Sequence, residues 1–139
     1  MLDSLQSLNL VCLFTAFMWM SYIPAVFYSN GTSAKLYLDG VWKKMQYDDE
    51  KILRVPSPAW AIRAQAAHKN AVENLVIFAP LVLLCHIKGV GADMPAFVYL
   101  LARLVHFAGQ IIGPSLPAVR TLAFAVGWMA CVAMGLLLL

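Results

Sequence analysis

Arg63, His68, Asn70, Glu73 and Asn74 fall in one stretch of the sequence, Tyr99, Arg103, His106 and Gln110 in a second, and Arg120 and Thr121 open a third. At about 100° per residue of an α-helix, Arg63, Asn70 and Asn74 lie within about 20° of one line, with Glu73 on the flank. Tyr99, Arg103, His106 and Gln110 occupy a stripe about 60° wide on a second helix. Cations set among carboxamides and a single carboxylate suit recognition of an anionic ligand, contact with an adjacent subunit, or contact between the stripes themselves. Lipid is the least suitable neighbour, because it satisfies no polar group.

Each of these residues also has a plainer role open to it. Glu73 and Arg103 are expected to neutralise each other as buried charges, which removes most of the desolvation cost either bears alone. His68 lies about 140° from Arg63 and reads as a helix-contact residue rather than a metal ligand. His106, one turn from Arg103, fits a ligand contact or a satisfied bundle histidine equally well. Arg120 at the end of an apolar run fits either a site residue or an anchor that snorkels to the headgroups.

No HExxH, P-loop, GxGxxG, Ser-His-Asp order or catalytic carboxylate pair occurs, so no local motif points to soluble-enzyme chemistry. The three cysteines, Cys12, Cys85 and Cys131, stand singly in apolar sequence and form no redox or metal-binding pair. Ten Lys and Arg against seven Asp and Glu leave a net charge of +3. That excess forms no dense basic stripe and no aromatic-studded RNA motif, so a nucleic-acid partner is not expected.

The elements that must position these residues are apolar throughout. Of 139 residues, 62% are hydrophobic and 12% charged, and the mean hydropathy is +0.75. Soluble domains carry roughly twice that share of charge. No charge occurs between Asp3 and Lys35, and the run over 8–28 has about the length that crosses a hydrocarbon core. The acidic Asp3 argues against a cleaved signal peptide. Ser57 followed by Pro58 predicts a second helix over 58–86. Asp93 and Pro95 announce a third over 94–113, which Gly113-Pro114 stops, and a fourth follows over 117–139. The expected architecture is all-α, an up-down bundle of four membrane spans forming a single domain over residues 1–139.

The one sizeable loop, 29–56, carries Lys35, Lys43, Lys44, Lys51 and Arg54. By the positive-inside rule it is expected in the cytoplasm, with both termini on the opposite side. In an up-down bundle the three polar stretches then share the cytoplasmic half. No inverted repeat or broken helix suggests a transporter.

The second helix, Arg63-Ala64-Gln65-Ala66-Ala67-His68-Lys69-Asn70-Ala71-Val72-Glu73-Asn74 followed by Phe78 and Pro80, resembles the signature of the MAPEG family, the membrane-associated proteins in eicosanoid and glutathione metabolism. Tyr99-Leu100-Leu101-Ala102-Arg103-Leu104-Val105-His106 resembles the family's third-helix segment, and Arg120-Thr121 its step into the fourth helix. The resemblance covers helices two to four and is to a member of bacterial type.

It implies an integral membrane homotrimer, in the cell inner membrane if bacterial, with glutathione as co-substrate bound between subunits near the cytoplasmic face. The implied activity is transfer of glutathione to lipophilic electrophiles or reduction of lipid hydroperoxides. The alternative is a trimer of the same fold that binds another amphiphile or is purely structural. Carried over by position, Asn70, Glu73, Asn74, His106 and Gln110 are expected glutathione contacts, and Arg120 the catalytic arginine that favours the thiolate. Glutathione has two carboxylates and an amine, so its site needs cations for the first and an acid or amide for the second. A fixed cation in a poorly solvated site also lowers the thiol toward its nucleophilic form. The sequence departs from the family at Ala66, where many members place a carboxylate-holding arginine, at Gln110, where a tyrosine is frequent, and at Ser29-Asn30, where an arginine often ends the first helix. Arg63, on nearly the line of Asn70, is the expected substitute for the missing arginine.

Overall fold

A computed structural model describes residues 2–21, 59–112 and 117–139. Its regular structure is helical: α1 (Ser4–Met18, continued by a 3-10 turn at Trp19–Ser21), α2 (Ala59–Ile87), α3 (Asp93–Ile112) and α4 (Pro117–Leu137). Four helices among the described residues are long and apolar enough to cross a membrane. The end of the first expected span, the 29–56 loop, the Ser57-Pro58 start and the Gly113-Pro114 stop lie outside the described residues.

α1 begins at Ser4, earlier than the apolar run suggests. Asp3 caps it: the Gln6 N–H donates to Asp3 Oδ1 at 2.7 Å, and the Asp3 N–H to Gln6 Oε1 at 3.2 Å. This reciprocal box satisfies orphan donors of the first turn and carries the helix back through polar residues. α2 ends in a Schellman turn. Gly89 takes φ +67°, the Val90 N–H reaches Cys85 O at 2.8 Å, and the Gly89 N–H reaches His86 O at 3.1 Å. That turn reverses the chain into α3, which starts at Asp93 close to its expected position.

Bonds at the two ends of the bundle fix the helix directions. At one end the Ser4 N–H donates to Asp93 Oδ1 at 2.8 Å, and Lys88 Nζ donates to Leu138 O at 3.0 Å. The starts of α1 and α3 therefore lie level with the ends of α2 and α4. At the other end Arg63 Nη2 reaches Ile111 O at 3.4 Å, a long bond, and Arg120 Nη1 donates to Gln110 Oε1 at 3.1 Å. The four helices alternate up and down, as expected.

Phe78, Val82 and Cys85 of α2, Tyr99 and Leu100 of α3, and Ala130, Cys131 and Met134 of α4 form the main core with Val11 of α1. Nearer the other end, Met18 packs on Ala67 and Ala71, whose small side chains allow α1 and α2 to approach. There the Phe14 ring meets Phe107 edge-on at 5.3 Å. Many large apolar side chains face outward, among them Val76 and Leu122, exposed by 71% and 65%. Such a surface aggregates in water and is at home in hydrocarbon. The chain is an integral membrane protein.

Candidate functional site

Arg103 is the centre of the polar seam. It projects from the middle of α3, is 3% exposed, and meets side chains of both α2 and α4. Its Nη1 donates to Asn70 Oδ1 of α2 at 3.1 Å. Its Cζ lies 4.8 Å from the Tyr99 ring centroid and 5.4 Å from that of Phe124 on α4, within cation–π range of both. Tyr99 in turn stacks on Phe78 of α2, centroids 3.8 Å apart and planes 5° from parallel. Among the described residues this cation is held by aromatic rings and a carboxamide in place of a counter-charge.

The expected Glu73–Arg103 pair does not form. Glu73 lies on the exposed side of α2, where its Oε1 is 3.9 Å from Lys69 Nζ in an i,i+4 pair. Asn70 is on the line of α2 that meets α3, and Glu73, three residues later, is rotated about 60° from it. Arg103 therefore reaches the amide first.

Asn74 lies one turn beyond Asn70, and its Nδ2 donates back to Asn70 O at 2.7 Å. With Nδ2 so engaged, Oδ1 of Asn74 is left to accept. The two carboxamides are thus held differently: Asn70 by a bond to its oxygen, Asn74 by one N–H of its nitrogen. His68, half-buried, lies on the same helix.

A second group gathers where α3 ends and α4 begins. Gly109 lets α4 close in, since a Cβ added there would lie 3.6 Å from Arg120 Cβ and 3.7 Å from Arg120 Cα. The crossing carries Arg120 Nη1 to Gln110 Oε1 within one chain. Arg120 is exposed on the single chain rather than enclosed in the bundle, and Gln110 is half-buried. His106, one turn before Gln110, is buried, its ring centroid 6.2 Å from Phe124. Arg63 of α2 is half-buried at the same end, and its Nε has no hydrogen-bond partner among the described residues. The fold brings Arg63, His106, Gln110 and Arg120 to one end of the bundle and sets Arg103, bonded to Asn70, deeper among α2, α3 and α4.

Along the outer side of the α3–α4 pair runs an apolar groove. One part, about 720 Å³, is lined by Met94, Val98, Leu122, Val126 and Met129 among others. A second, about 400 Å³, shares Val98, Leu122 and Val126 and reaches Val119, next in sequence to Arg120. The groove therefore runs from the far end of α3 to the residue beside Arg120.

Two residues of this arrangement carry no signal of type or spacing in the sequence. Gly127 of α4 gives Arg103 its room: a Cβ there would lie 2.8 Å from Nη2 and 3.3 Å from Nε. Gly109 admits the start of α4. Both are glycines inside apolar helices, and only the helix that packs against them reveals their use. Among the described residues no cluster of three His, Cys, Asp or Glu could hold a metal ion.

Fold and seam together define a class: a four-helix membrane protein whose second, third and fourth helices share a polar interior. The MAPEG family model matches residues 9–139, nearly the whole chain, and the chain belongs to that family. No curated protein and no solved structure matched it.

Proposed function

We propose that the protein is a glutathione-dependent membrane transferase or peroxidase that acts on lipophilic electrophiles or lipid hydroperoxides. The observation that carries this reading is the position of Arg120: a guanidinium oriented by Gln110, beside buried His106, at the end of an apolar groove. The tripeptide's polar groups are assigned to Arg63, Asn70, Glu73, Asn74, His106 and Gln110. Arg120 stabilises the thiolate, and the lipophilic partner arrives along the membrane face of α3 and α4. Membership in a family of glutathione and eicosanoid metabolism supports the chemistry.

The reading includes a homotrimer with the site between subunits. Supporting it, Gln65, Lys69 and Glu73 are exposed on a helix apolar enough to span the bilayer. Hydrocarbon satisfies none of them, whereas a neighbouring copy can. The reading also places the 29–56 loop in the cytoplasm and the termini outside.

The test is the ultraviolet absorbance of a thiolate when glutathione is added to the purified protein in detergent. Wild type should develop the band. Arg120→Lys should lose most of it, because an ammonium does not reproduce an oriented, forked guanidinium. No band at saturating glutathione would refute the thiolate role. A wild-type band in both Arg120→Lys and Arg120→Ala would move that role to another cation, Arg63 first.

A further inference from the structure

Arg103 is buried in a membrane helix, yet the proposed glutathione site gives it no contact with substrate. Its surroundings show what it does instead. The edge formed by Nε, Cζ and Nη2 lies against α4 at Gly127, where a Cβ would stand 3.3, 3.4 and 2.8 Å from those atoms. Nε and Nη2 have no hydrogen-bond partner among the described residues. Its Cζ lies over the rings of Tyr99 and Phe124, 4.8 and 5.4 Å from their centroids. Its one hydrogen bond among the described residues runs from Nη1 to Asn70 at 3.1 Å.

A guanidinium only donates, so the Asn70 atom facing it is the carboxamide oxygen. The other end of that amide, Nδ2, is thereby turned away from Arg103 as a pair of donors, and Asn70 remains partly accessible. We infer that Gly127, acting through Arg103, is a positioning residue that fixes the Asn70 carboxamide so that it offers donors to a bound ligand and selects a carboxylate over an ammonium. This rests on the glutathione reading and deepens it. Asn74 is held the opposite way round by Asn70 O and offers an acceptor.

A methyl group at Gly127 meets the whole edge of the guanidinium, not just its tip. At 2.8 Å from Nη2 that contact is too short to persist, so the guanidinium must shift away from α4, which disturbs its bond to the Asn70 oxygen. Freed of that restraint, the amide can rotate.

The experiment measures glutathione affinity by calorimetric titration, the thiolate band at saturating glutathione, and the melting temperature, all on the full chain in detergent. Gly127→Ala should weaken affinity about tenfold, the scale of one hydrogen bond to a charged acceptor, while the band at saturation stays at wild-type height. Asn70→Asp keeps an acceptor for Arg103 but replaces the donors with an oxygen. It should melt no lower than wild type and still lose at least as much affinity as Gly127→Ala.

A merely structural Asn70 predicts that affinity follows stability, and wild-type affinity in either variant overturns the proposal. If wild type binds no glutathione, the functional reading fails on its own account. The brace is then judged by melting temperature in the cycle of Gly127→Ala and Asn70→Ala. Coupled shifts keep it, and additive shifts end it.

Discussion

The carboxylate of Asp93 accepts the backbone N–H of Ser4 at 2.8 Å, which ties the first turn of α1 to the first turn of α3. Asp93 stands at the start of its own helix, so one negative charge lies between two helix N-termini, where both dipoles favour it. The same first turn of α1 is closed by the Asp3–Gln6 capping box. α1 is thus pinned to the bundle at this end by backbone and carboxylate rather than by apolar contact alone.

Asp93→Ala should therefore destabilise the bundle by about 1.5–3 kcal/mol, the range for a hydrogen bond to a charged group. Asp93→Asn keeps an acceptor and loses only the charge, so its loss should be smaller, about 0.3–1 kcal/mol of dipole interaction. Reversible unfolding in mixed micelles reads both. Equal losses would show that the charge, not the acceptor, holds α1.

Glu73 and Arg103 should behave as strangers. The carboxylate is 60% exposed beside Lys69, and the guanidinium is bound to Asn70. In a cycle of Glu73→Gln and Arg103→Met the stability losses should add to within about 0.5 kcal/mol. The cycle of Asn70→Ala and Arg103→Met should instead show coupling of about 0.5–3 kcal/mol. Interchange of the two results would restore the ion pair inferred from residue types.

Helix existence and alternation are legible in the sequence because they depend on local signals: the apolar length of the spans, Asp93 with Pro95, and the scarcity of charge within the apolar runs. Apolar length alone starts the first span at Leu8, four residues late, because it gives no weight to the short-range Asp3–Gln6 box. Helical angles correctly put Arg63, Asn70 and Asn74 on one line and Arg103, His106 and Gln110 on another. What they do not contain is how far α2 and α3 are rotated toward each other, and that rotation decides whether Arg103 meets Asn70 or Glu73. Gly127 and Gly109 are unreadable for the same reason. A glycine's missing Cβ has meaning only once the neighbouring helix is in place.

Gly109 tests the crossing of α3 and α4. A methyl group there makes ordinary contact with Arg120 Cβ at 3.6 Å. Gly109→Ala should be neutral or stabilise by up to about 1 kcal/mol, since alanine replaces glycine within a helix. Gly109→Leu adds bulk beyond that contact and must push the start of α4 outward. It should abolish the thiolate band while Gly109→Ala retains it, as read by absorbance with glutathione present. A full band in Gly109→Leu would show that Arg120 acts independently of its packing on α3.

Gln110 provides the most direct test of what orients Arg120. Its Oε1 accepts from Arg120 Nη1 at 3.1 Å, a neutral partner that fixes the guanidinium and, among the described residues, leaves its charge uncompensated. An uncompensated cation is what a thiolate requires, since any carboxylate in its place would compete for the same field. Gln110→Glu keeps the geometry and cancels the charge. The bundle should remain as stable as wild type or more so, yet the thiolate band at a fixed pH should shrink by about an order of magnitude, the consequence of withdrawing about 1.4 kcal/mol of stabilisation from the ionised sulfur. Gln110→Leu removes the restraint and keeps the charge, so its band should fall less than that of Gln110→Glu. Raising the pH should recover the band in Gln110→Glu, because the thiol still ionises there, only at higher pH. If Gln110→Glu instead matches wild type across the pH range, the charge of Arg120 is not what the sulfur senses.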